Sequence, residues 1–141
     1  MKNLFSIAQF LNTFIFIFIS IFHFYWAFGG KFGSQAVIPQ LKDGKAVFQP
    51  PFLATIIVAL TMLIGAWLSW RPHPNSCAST LIYGNLAIGI IMLIRAIGDF
   101  KYVGFFKKIK GTIFAQNDTR FYSPLCLLIS INALYLYYII R

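Results

Sequence analysis

Residues 95–124 read RAIGDFKYVGFFKKIKGTIFAQNDTRFYSP and join two apolar segments of the chain. This stretch holds two of the three acidic residues, Asp99 and Asp118, and six of the twelve Lys and Arg residues. Ionisable side chains are costly in hydrocarbon, so their confinement to one short connection predicts that the flanking segments lie in a membrane. The stretch therefore marks the membrane edge where one spanning helix ends and the next begins.

The composition of the whole chain is typical of an integral membrane protein. It has 141 residues, of which 59% are hydrophobic and 11% are charged, and its mean hydropathy is +0.74. Four apolar runs are long enough to cross a bilayer as helices, at about residues 5–28, 52–70, 77–98 and 121–140. We therefore expect an all-α fold, a four-transmembrane-helix bundle that forms one integral membrane domain over residues 1–141. The first run is too long for the apolar core of a signal peptide, so we expect it to be retained.

The formal charge of +9 points to the membrane surface. Its cations flank the apolar runs and form no soluble basic face, so we expect no nucleic-acid partner. Eight basic residues lie in the connections 29–51 and 99–120, whereas the other side has three, Lys2, Arg71 and Arg141. By the positive-inside rule, both long basic loops face the cytoplasm and the termini lie outside.

The polar residues of the first run share one helical stripe. Gln9, Asn12, Ser20 and His23 recur with Phe16 at spacings of three and four, which places them on one face of a helix. Because polar groups in hydrocarbon are costly, this stripe should face the interior of the bundle. In the second run, Thr61, Gly65 and Ser69 are small residues at four-residue spacing, which permits close helix approach.

The two long connections carry different patterns. Asp43-Gly44 between short apolar segments predicts a small two-residue β-hairpin, or otherwise an irregular loop, over one end of the bundle. Between Tyr102 and Ile113 an apolar stripe runs beside Lys101, Lys107, Lys108 and Lys110. That pattern favours an interfacial amphipathic segment whose lysines lie mostly off the apolar stripe.

Arg95 and Asp118 each allow two interpretations. Arg95 lies about one turn inside the third span, where it either snorkels to the headgroups or pairs with an acid or a ligand anion. Asp99 at i+4 could satisfy Arg95 alone. Asp118 or Asn117 could instead cap an earlier turn, ahead of the fourth span.

Motifs of metal, redox and nucleophilic chemistry are absent from the sequence. There is no Cys-x-x-Cys pair, no His/Cys cluster, no phosphate-cradling Gly-rich loop and no Gly-x-Ser-x-Gly elbow. Cys77 and Cys126 begin different spans at opposite membrane sides, too far apart to form a disulfide. We therefore expect no cofactor and no metal.

Three motifs carry a resemblance to a known family. They are HFYWAFGG at 23–30, RAIGDFKYVGFFK at 95–107, and FA at 114–115 followed by DTRFYSPLC at 118–126. With these motifs the chain resembles the domain-of-unknown-function 3995 family of small bacterial membrane proteins, over almost its whole length. The resemblance implies a four-helix protein of the bacterial inner membrane. It implies no activity.

Three of the predicted helices deliver functional groups to the same membrane edge. The residues are His23, Trp26, Arg95, Asp99, Asp118 and Tyr122. An apolar cavity rimmed by such groups is a candidate ligand site. The alternative is a salt-bridge and hydrogen-bond cluster that only holds the bundle together.

We therefore expect a polytopic membrane protein that binds a lipid-like or amphipathic ligand, or a membrane-protein partner, at this cluster. The first alternative is a membrane-embedded enzyme with His23 as acid/base, oriented by Asp118 or Asp99, and Arg95 holding an anionic group. The second alternative is a structural subunit of a membrane complex, for which the Thr61-Gly65-Ser69 face is the first candidate interface.

Overall fold

The computed structural model describes residues 2–70 and 79–141. Its helices are α1 (Lys2–Ala27), α2 (Ser34–Val37), α3 (Phe52–Trp70), α4 (Ser79–Ile97), α5 (Ile113–Asn117) and α6 (Ser123–Ile140), and a π-helical turn, Asp118–Tyr122, joins α5 to α6. The predicted all-α fold with four long apolar helices is confirmed. The predicted start of the third span, at Cys77, lies outside the described residues.

Four stretches of the described chain are long and apolar enough to cross a membrane: Asn3–Ala27, Phe52–Trp70, Ser79–Ile97 and Ile113–Ile140. Their mean hydropathies lie between 1.7 and 2.2, yet no more than 33% of an 18-residue apolar segment in each is buried inside the chain. Large apolar surfaces of this kind need lipid rather than water around them. The chain is therefore a multi-pass membrane protein. The fourth stretch begins earlier than the predicted residue 121 because α5 and the π-helical turn continue into α6.

The bundle is assembled from two antiparallel helix pairs. α1 packs along α3 and α4 packs along α6, while contacts of α1 with α6 and of α3 with α4 join the pairs. The core between them contains Phe16, Ile88 and Ile129. Gly65 lies against Phe16, because a Cβ there would stand 3.2 Å from the Phe16 ring.

Polar side chains hold the apolar helices together. Asn12 and Ser20 of the predicted α1 stripe are fully buried. The Asn12 side chain donates to the Ile129 carbonyl, 3.2 Å away, and Ser20 Oγ donates to the Ala59 carbonyl at 2.8 Å. Each bond joins α1 to a different helix, which is how polar groups contribute to association inside a membrane. Asn12, Phe16 and Ser20 of this stripe face inward as predicted, whereas Gln9 and His23 are half-buried.

The connection from α1 to α3 contains one short helix and one tight turn. The predicted two-residue hairpin is replaced by a wider turn, in which the Leu41 N–H donates to the Lys45 carbonyl at 2.8 Å. Gly44 in this turn has a φ of 82°, which a glycine adopts without strain. A single antiparallel bridge, Gln40 with Ala46, extends it. Gln40 Oε1 also accepts the Phe114 N–H at 3.4 Å, so this connection lies against α5.

The connection from α4 to α5 is irregular and folds back on the end of α4. Gly98 ends α4 with a φ of 93°, and Gly104 has a φ of 88°. A Cβ on Gly98 would collide with the Val103 backbone, and a Cβ on Gly104 would collide with the Ile97 backbone. Their close approach lets the Phe105 N–H donate to the Ala96 carbonyl at 2.9 Å, which satisfies an end of α4. Lys107, one of the four lysines predicted to lie mostly off the apolar stripe, is buried, since only 2% of it is exposed.

Candidate functional site

Asp118 lies at the centre of a buried ion cluster, which we call the Asp118 cluster and which comprises Arg95, Lys107 and Asp118. The Asp118 side chain is 0% exposed. Its Oδ1 accepts a hydrogen bond from Arg95 Nη2 at 3.0 Å. Its Oδ2 accepts from Lys107 Nζ at 2.9 Å and from the Gly104 N–H at 2.8 Å. A carboxylate removed from water in this way is stable only because each oxygen is paired.

The π-helical turn places Asp118 in this position. Here the Ser123 N–H donates to the Asp118 carbonyl, so the turn holds one residue more than an α-helical turn. The Asp118 side chain does not cap the start of a helix: Thr112 caps α5 instead, its side chain accepting the Ala115 N–H at 3.1 Å. The capping interpretation of Asp118 is therefore wrong.

Lys107 has all three of its ammonium hydrogens paired. Nζ donates to the Gly104 carbonyl at 2.8 Å, to Asp118 Oδ2 and to Thr119 Oγ1 at 2.7 Å. This residue was not among the predicted site residues. Its sequence neighbours give no periodic signal, because it lies in an irregular loop and is buried by the fold of that loop.

Arg95 is the cluster member with a donor to spare. Its side chain is 34% exposed, and Nη2 pairs with Asp118 rather than with the predicted neighbour Asp99. The other terminal nitrogen, Nη1, is buried and has no hydrogen-bond partner among the described residues. The cluster thus holds two cations and one carboxylate, and its spare donor belongs to Arg95.

Asp99 lies outside the cluster, and its side chain binds backbone N–H groups of the loop. Its Oδ1 accepts the N–H groups of Lys101, Tyr102 and Val103 at 2.9, 2.7 and 2.9 Å. The i,i+4 pair with Arg95 is not formed because Gly98 turns the chain out of the helix before Asp99. Burial on its own raises the pKa of Asp99, but the three backbone hydrogen bonds outweigh it and hold this pKa below its usual value of 3.8.

His23 and Trp26 lie together at the end of α1. Their rings are 5.3 Å apart, edge to face. His23 Nδ1 lies 2.8 Å from the Ile19 carbonyl of its own helix, so Nδ1 carries the hydrogen of that bond. Trp26 Nε1 donates to the Phe32 carbonyl at 2.9 Å. In the described part of the chain, neither Asp99 nor Asp118 forms a hydrogen bond with His23.

Tyr122 follows Asp118 by one turn and faces the other long connection. Its hydroxyl donates to the Ala36 carbonyl at 3.2 Å, and its ring lies 6.2 Å from the Phe114 ring. The six predicted site residues are therefore at one end of the bundle, where the His23 and Trp26 rings contact each other but no hydrogen bond within the described chain joins them to the other four. Only Arg95 and Asp118 bond to each other.

Exposed basic and aromatic side chains are numerous at the end of the bundle that holds the cluster, which we call the basic end. The exposed cations are Lys31, Lys42, Lys45, Lys101, Lys108, Lys110 and Arg120. The exposed phenylalanines are Phe28, Phe32, Phe48, Phe52, Phe100, Phe105, Phe106 and Phe121. Basic side chains interspersed with aromatic ones suit an anionic membrane interface.

The opposite end has a groove of a different character. It lies between α1 and α3, has a volume of about 450 Å³ and is lined by Thr13, Ile17, Leu63, Ala66, Trp67 and Trp70. Its lining is almost wholly apolar and includes no residue of the Asp118 cluster. The groove is therefore continuous with the lipid-facing surface and is separate from the polar site.

Two of the three small residues of the Thr61-Gly65-Ser69 face pack within the chain. Gly65 and Ser69 are buried, whereas Thr61 is exposed and its hydroxyl donates to the Ile57 carbonyl of its own helix at 2.8 Å. The close approach predicted for this face therefore occurs between α3 and α1, at Gly65 and Phe16.

Comparison with known proteins gives one match. The model of the family described as "Protein of unknown function (DUF3995)" matches residues 16–133. No curated protein matches the chain, and no solved structure matches it. The matched range contains all six predicted site residues and Lys107.

Proposed function

The chain belongs to the DUF3995 family of proteins of unknown function, and we propose from its geometry that it binds an amphipathic, lipid-like ligand with an anionic headgroup at the basic end. The observation that carries the proposal is the charge at that end. Seven exposed cations stand there with two exposed carboxylates, Asp43 and Asp99. Asp43 is paired with Lys45 at 3.7 Å, and Asp99 is occupied by backbone N–H groups.

The aromatic residues of the basic end support an amphipathic ligand over a soluble anion. Phe28 and Phe32 are each 76% exposed, which is costly in water but favourable at the boundary of headgroups and acyl chains. A ligand with one apolar and one anionic part contacts both kinds of side chain. We further propose that this end faces the cytoplasm of a bacterial inner membrane, as the excess of basic residues in its loops favours.

The two alternatives have less support from the contacts. In the enzyme alternative Asp118 or Asp99 orients the His23 ring, whereas the Nδ1 atom of His23 is bonded to the Ile19 carbonyl. Assembly through the Thr61-Gly65-Ser69 face would need small residues on the surface, and Gly65 and Ser69 are buried within the chain. Binding without catalysis is therefore the function that we propose.

The proposal is tested by lipid selection. The full chain is reconstituted in nanodiscs with equal amounts of phosphatidylglycerol and phosphatidylcholine of the same acyl chains, then extracted, and the co-purified lipid is measured by mass spectrometry. We expect enrichment of phosphatidylglycerol, and loss of that enrichment when Lys101, Lys108 and Lys110 are all changed to Gln. Arg141→Gln, at the other end of the bundle, is the control. Equal retention of both lipids by the wild type would refute the proposal.

A further inference from the structure

The backbone at Phe100 has a conformation that disfavours a phenylalanine. Its φ is 61°, which makes it the one non-glycine residue with a positive φ among residues 2–70 and 79–141. A bulky side chain is strained in this region, because its Cβ crowds the backbone, whereas glycine adopts it freely. Burial within the chain offsets little of the strain, since 58% of Phe100 is exposed. Strained residues that internal packing does not explain are a feature of functional sites.

The Phe100 ring is paired with a second exposed ring from the same loop. The ring centroids of Phe100 and Phe106 are 6.4 Å apart, and 64% of Phe106 is exposed. Both rings therefore keep most of their surface open although they lie side by side. The pair presents an apolar surface outward just after α4 ends at Ile97.

Three exposed lysines lie together in this loop. The Ile109 N–H donates to the Lys101 carbonyl at 3.1 Å, which brings Lys108 and Lys110, the sequence neighbours of Ile109, next to Lys101. In the described part of the chain none of the three lysines forms an ion pair, and Asp99 binds backbone N–H groups instead. We call the two rings and the three lysines the loop patch, which comprises Phe100, Lys101, Phe106, Lys108 and Lys110.

Buried contacts hold the loop patch in shape. Lys107, which separates Phe106 from Lys108, is turned inward and pairs with Asp118 at 2.9 Å, while its two neighbours are exposed. The Gly104 N–H donates to the same Asp118 carboxylate at 2.8 Å and fixes the chain ahead of Phe106. A surface that is ordered before it binds loses less conformational entropy on binding. The Asp118 cluster therefore supports the loop patch from beneath.

We propose that the loop patch is the site at which the basic end binds an anionic phospholipid. The Phe100 and Phe106 rings contact the acyl chains beside the headgroup, and the three lysines contact its phosphate. This inference rests on the proposed function and assigns the ligand to one of the two long connections. The positive charge of the patch complements an anionic headgroup, and its exposed rings suit the boundary of headgroups and acyl chains. The strained backbone at Phe100 is then the conformation that directs this ring into the lipid.

Photocrosslinking from the two rings tests the contact directly. Phe100→p-benzoylphenylalanine and Phe106→p-benzoylphenylalanine are each made in the full chain, in nanodiscs with equal amounts of phosphatidylglycerol and phosphatidylcholine of the same acyl chains. After irradiation the lipid adducts are identified by mass spectrometry. We expect phosphatidylglycerol adducts to exceed phosphatidylcholine adducts, and the excess to disappear when the three lysines of the loop patch are changed to Gln. Phe14→p-benzoylphenylalanine is the matched control, because Phe14 is 69% exposed in the middle of α1 and should crosslink both lipids equally.

Substitutions at Phe100 separate the ring from the strain. Phe100→Ala removes the ring and keeps a Cβ, whereas Phe100→Gly removes both. Glycine usually lowers stability relative to alanine, but at a positive φ the Phe100→Gly variant should melt at least as high as Phe100→Ala. In both variants the excess of co-purified phosphatidylglycerol should fall roughly tenfold, as expected when one aromatic ring loses its apolar contact. Phe14→Ala should leave this excess unchanged.

The outcomes distinguish the site from the proposed function. Equal yields of the two lipid adducts at positions 100 and 106 overturn the site, while continued enrichment of phosphatidylglycerol by the wild type leaves the proposed function standing. Adducts to protein in place of lipid identify a membrane-protein partner and overturn the site as well. A phosphatidylglycerol excess that survives both Phe100→Ala and Phe100→Gly overturns the role of the ring. If the wild type shows no enrichment, the proposed function fails, and the site fails with it.

Discussion

Lys107 Nζ lies 2.9 Å from Asp118 Oδ2, and the two side chains are 1% and 0% exposed. One residue comes from an irregular loop and the other from the turn that opens the last helix. The ion pair therefore fixes where the loop lies on the bundle. Removing one partner of such a buried pair costs far more than the pair contributes to folding, because the other charge stays behind in a poor environment.

The first prediction concerns this pair. Lys107→Met should lower the free energy of unfolding by about 3 kcal/mol, because Asp118 keeps Arg95 and the Gly104 N–H but loses its ammonium partner. The neighbouring Lys108 is exposed, and Lys108→Met should change stability by no more than about 0.5 kcal/mol. Thermal unfolding in detergent measures both. Equal effects of the two substitutions would contradict the burial of Lys107.

The second prediction concerns the loop glycines. Gly104→Ala should cost more than about 2 kcal/mol, since φ is 88° and the new Cβ would collide with the Ile97 backbone. A Cβ added to Gly111 would have no atom within 4 Å. Gly111→Ala in the same assay should therefore be close to neutral. A tolerated Gly104→Ala would mean that this loop does not fold back on α4.

The third prediction concerns acid. The pKa of Asp99 is lower in the folded chain than its usual value of 3.8, so the unfolded chain binds more protons near that pH. The stabilisation by Asp99 is therefore complete well above that value and is lost as the pH falls through the folded pKa. Asp99→Asn keeps an oxygen acceptor but has no carboxylate to protonate. We expect the stability difference between wild type and variant to be constant from pH 6 to 8 and to shrink below about pH 4.

Melting temperatures in detergent across this pH range provide the check. The carboxylate of Asp43 lies at the basic end as well, on an exposed turn, and Asp43→Asn serves as the control for a general effect of acid. A difference for Asp99 that stays constant below pH 4 would show that its carboxylate gains nothing from the backbone N–H groups.

The fourth prediction concerns orientation. The excess of basic residues in the two long connections predicts that the C-terminus lies outside the cytoplasm. An alkaline phosphatase fusion after Arg141 should be active, and a green fluorescent protein fusion there should be dark. The same reporters inserted after Gly44, in the exposed turn, should give the reverse pattern. A fluorescent C-terminal fusion would reverse the proposed orientation.

The helices were predictable from the sequence because hydropathy and helical spacing are local signals. Asn12 and Ser20 recur at helical spacing, and both are buried as that spacing predicted. The site was less predictable. The Arg95–Asp99 pair assumed that α4 continues to residue 99, whereas Gly98 turns the chain at a φ of 93°. Because the chain turns at Gly98, the Asp99 side chain accepts hydrogen bonds from loop N–H groups, and Arg95 pairs with Asp118 instead.

No local sequence pattern predicts the burial of Lys107 or its pairing with Asp118. Of the four lysines in residues 101–110, only Lys107 is buried. It is buried because the close approach of Gly98 and Gly104 folds the loop back on α4. Contacts between residues brought together by a fold of this kind follow from the backbone path and not from spacing. The two loop glycines were the available sign, since a glycine pair in a short connection often marks a tight reversal.

The pairing of Lys107 with Asp118 also has a consequence for the order of synthesis. Lys107 leaves the ribosome eleven residues before Asp118. Until the last helix inserts, the lysine has no carboxylate to pair with and must remain hydrated. We expect it to count among the cations that orient the growing chain during insertion, and to leave the aqueous surface only when the last helix arrives. The same residue would then serve first as a topology signal and afterwards as a part of the interior.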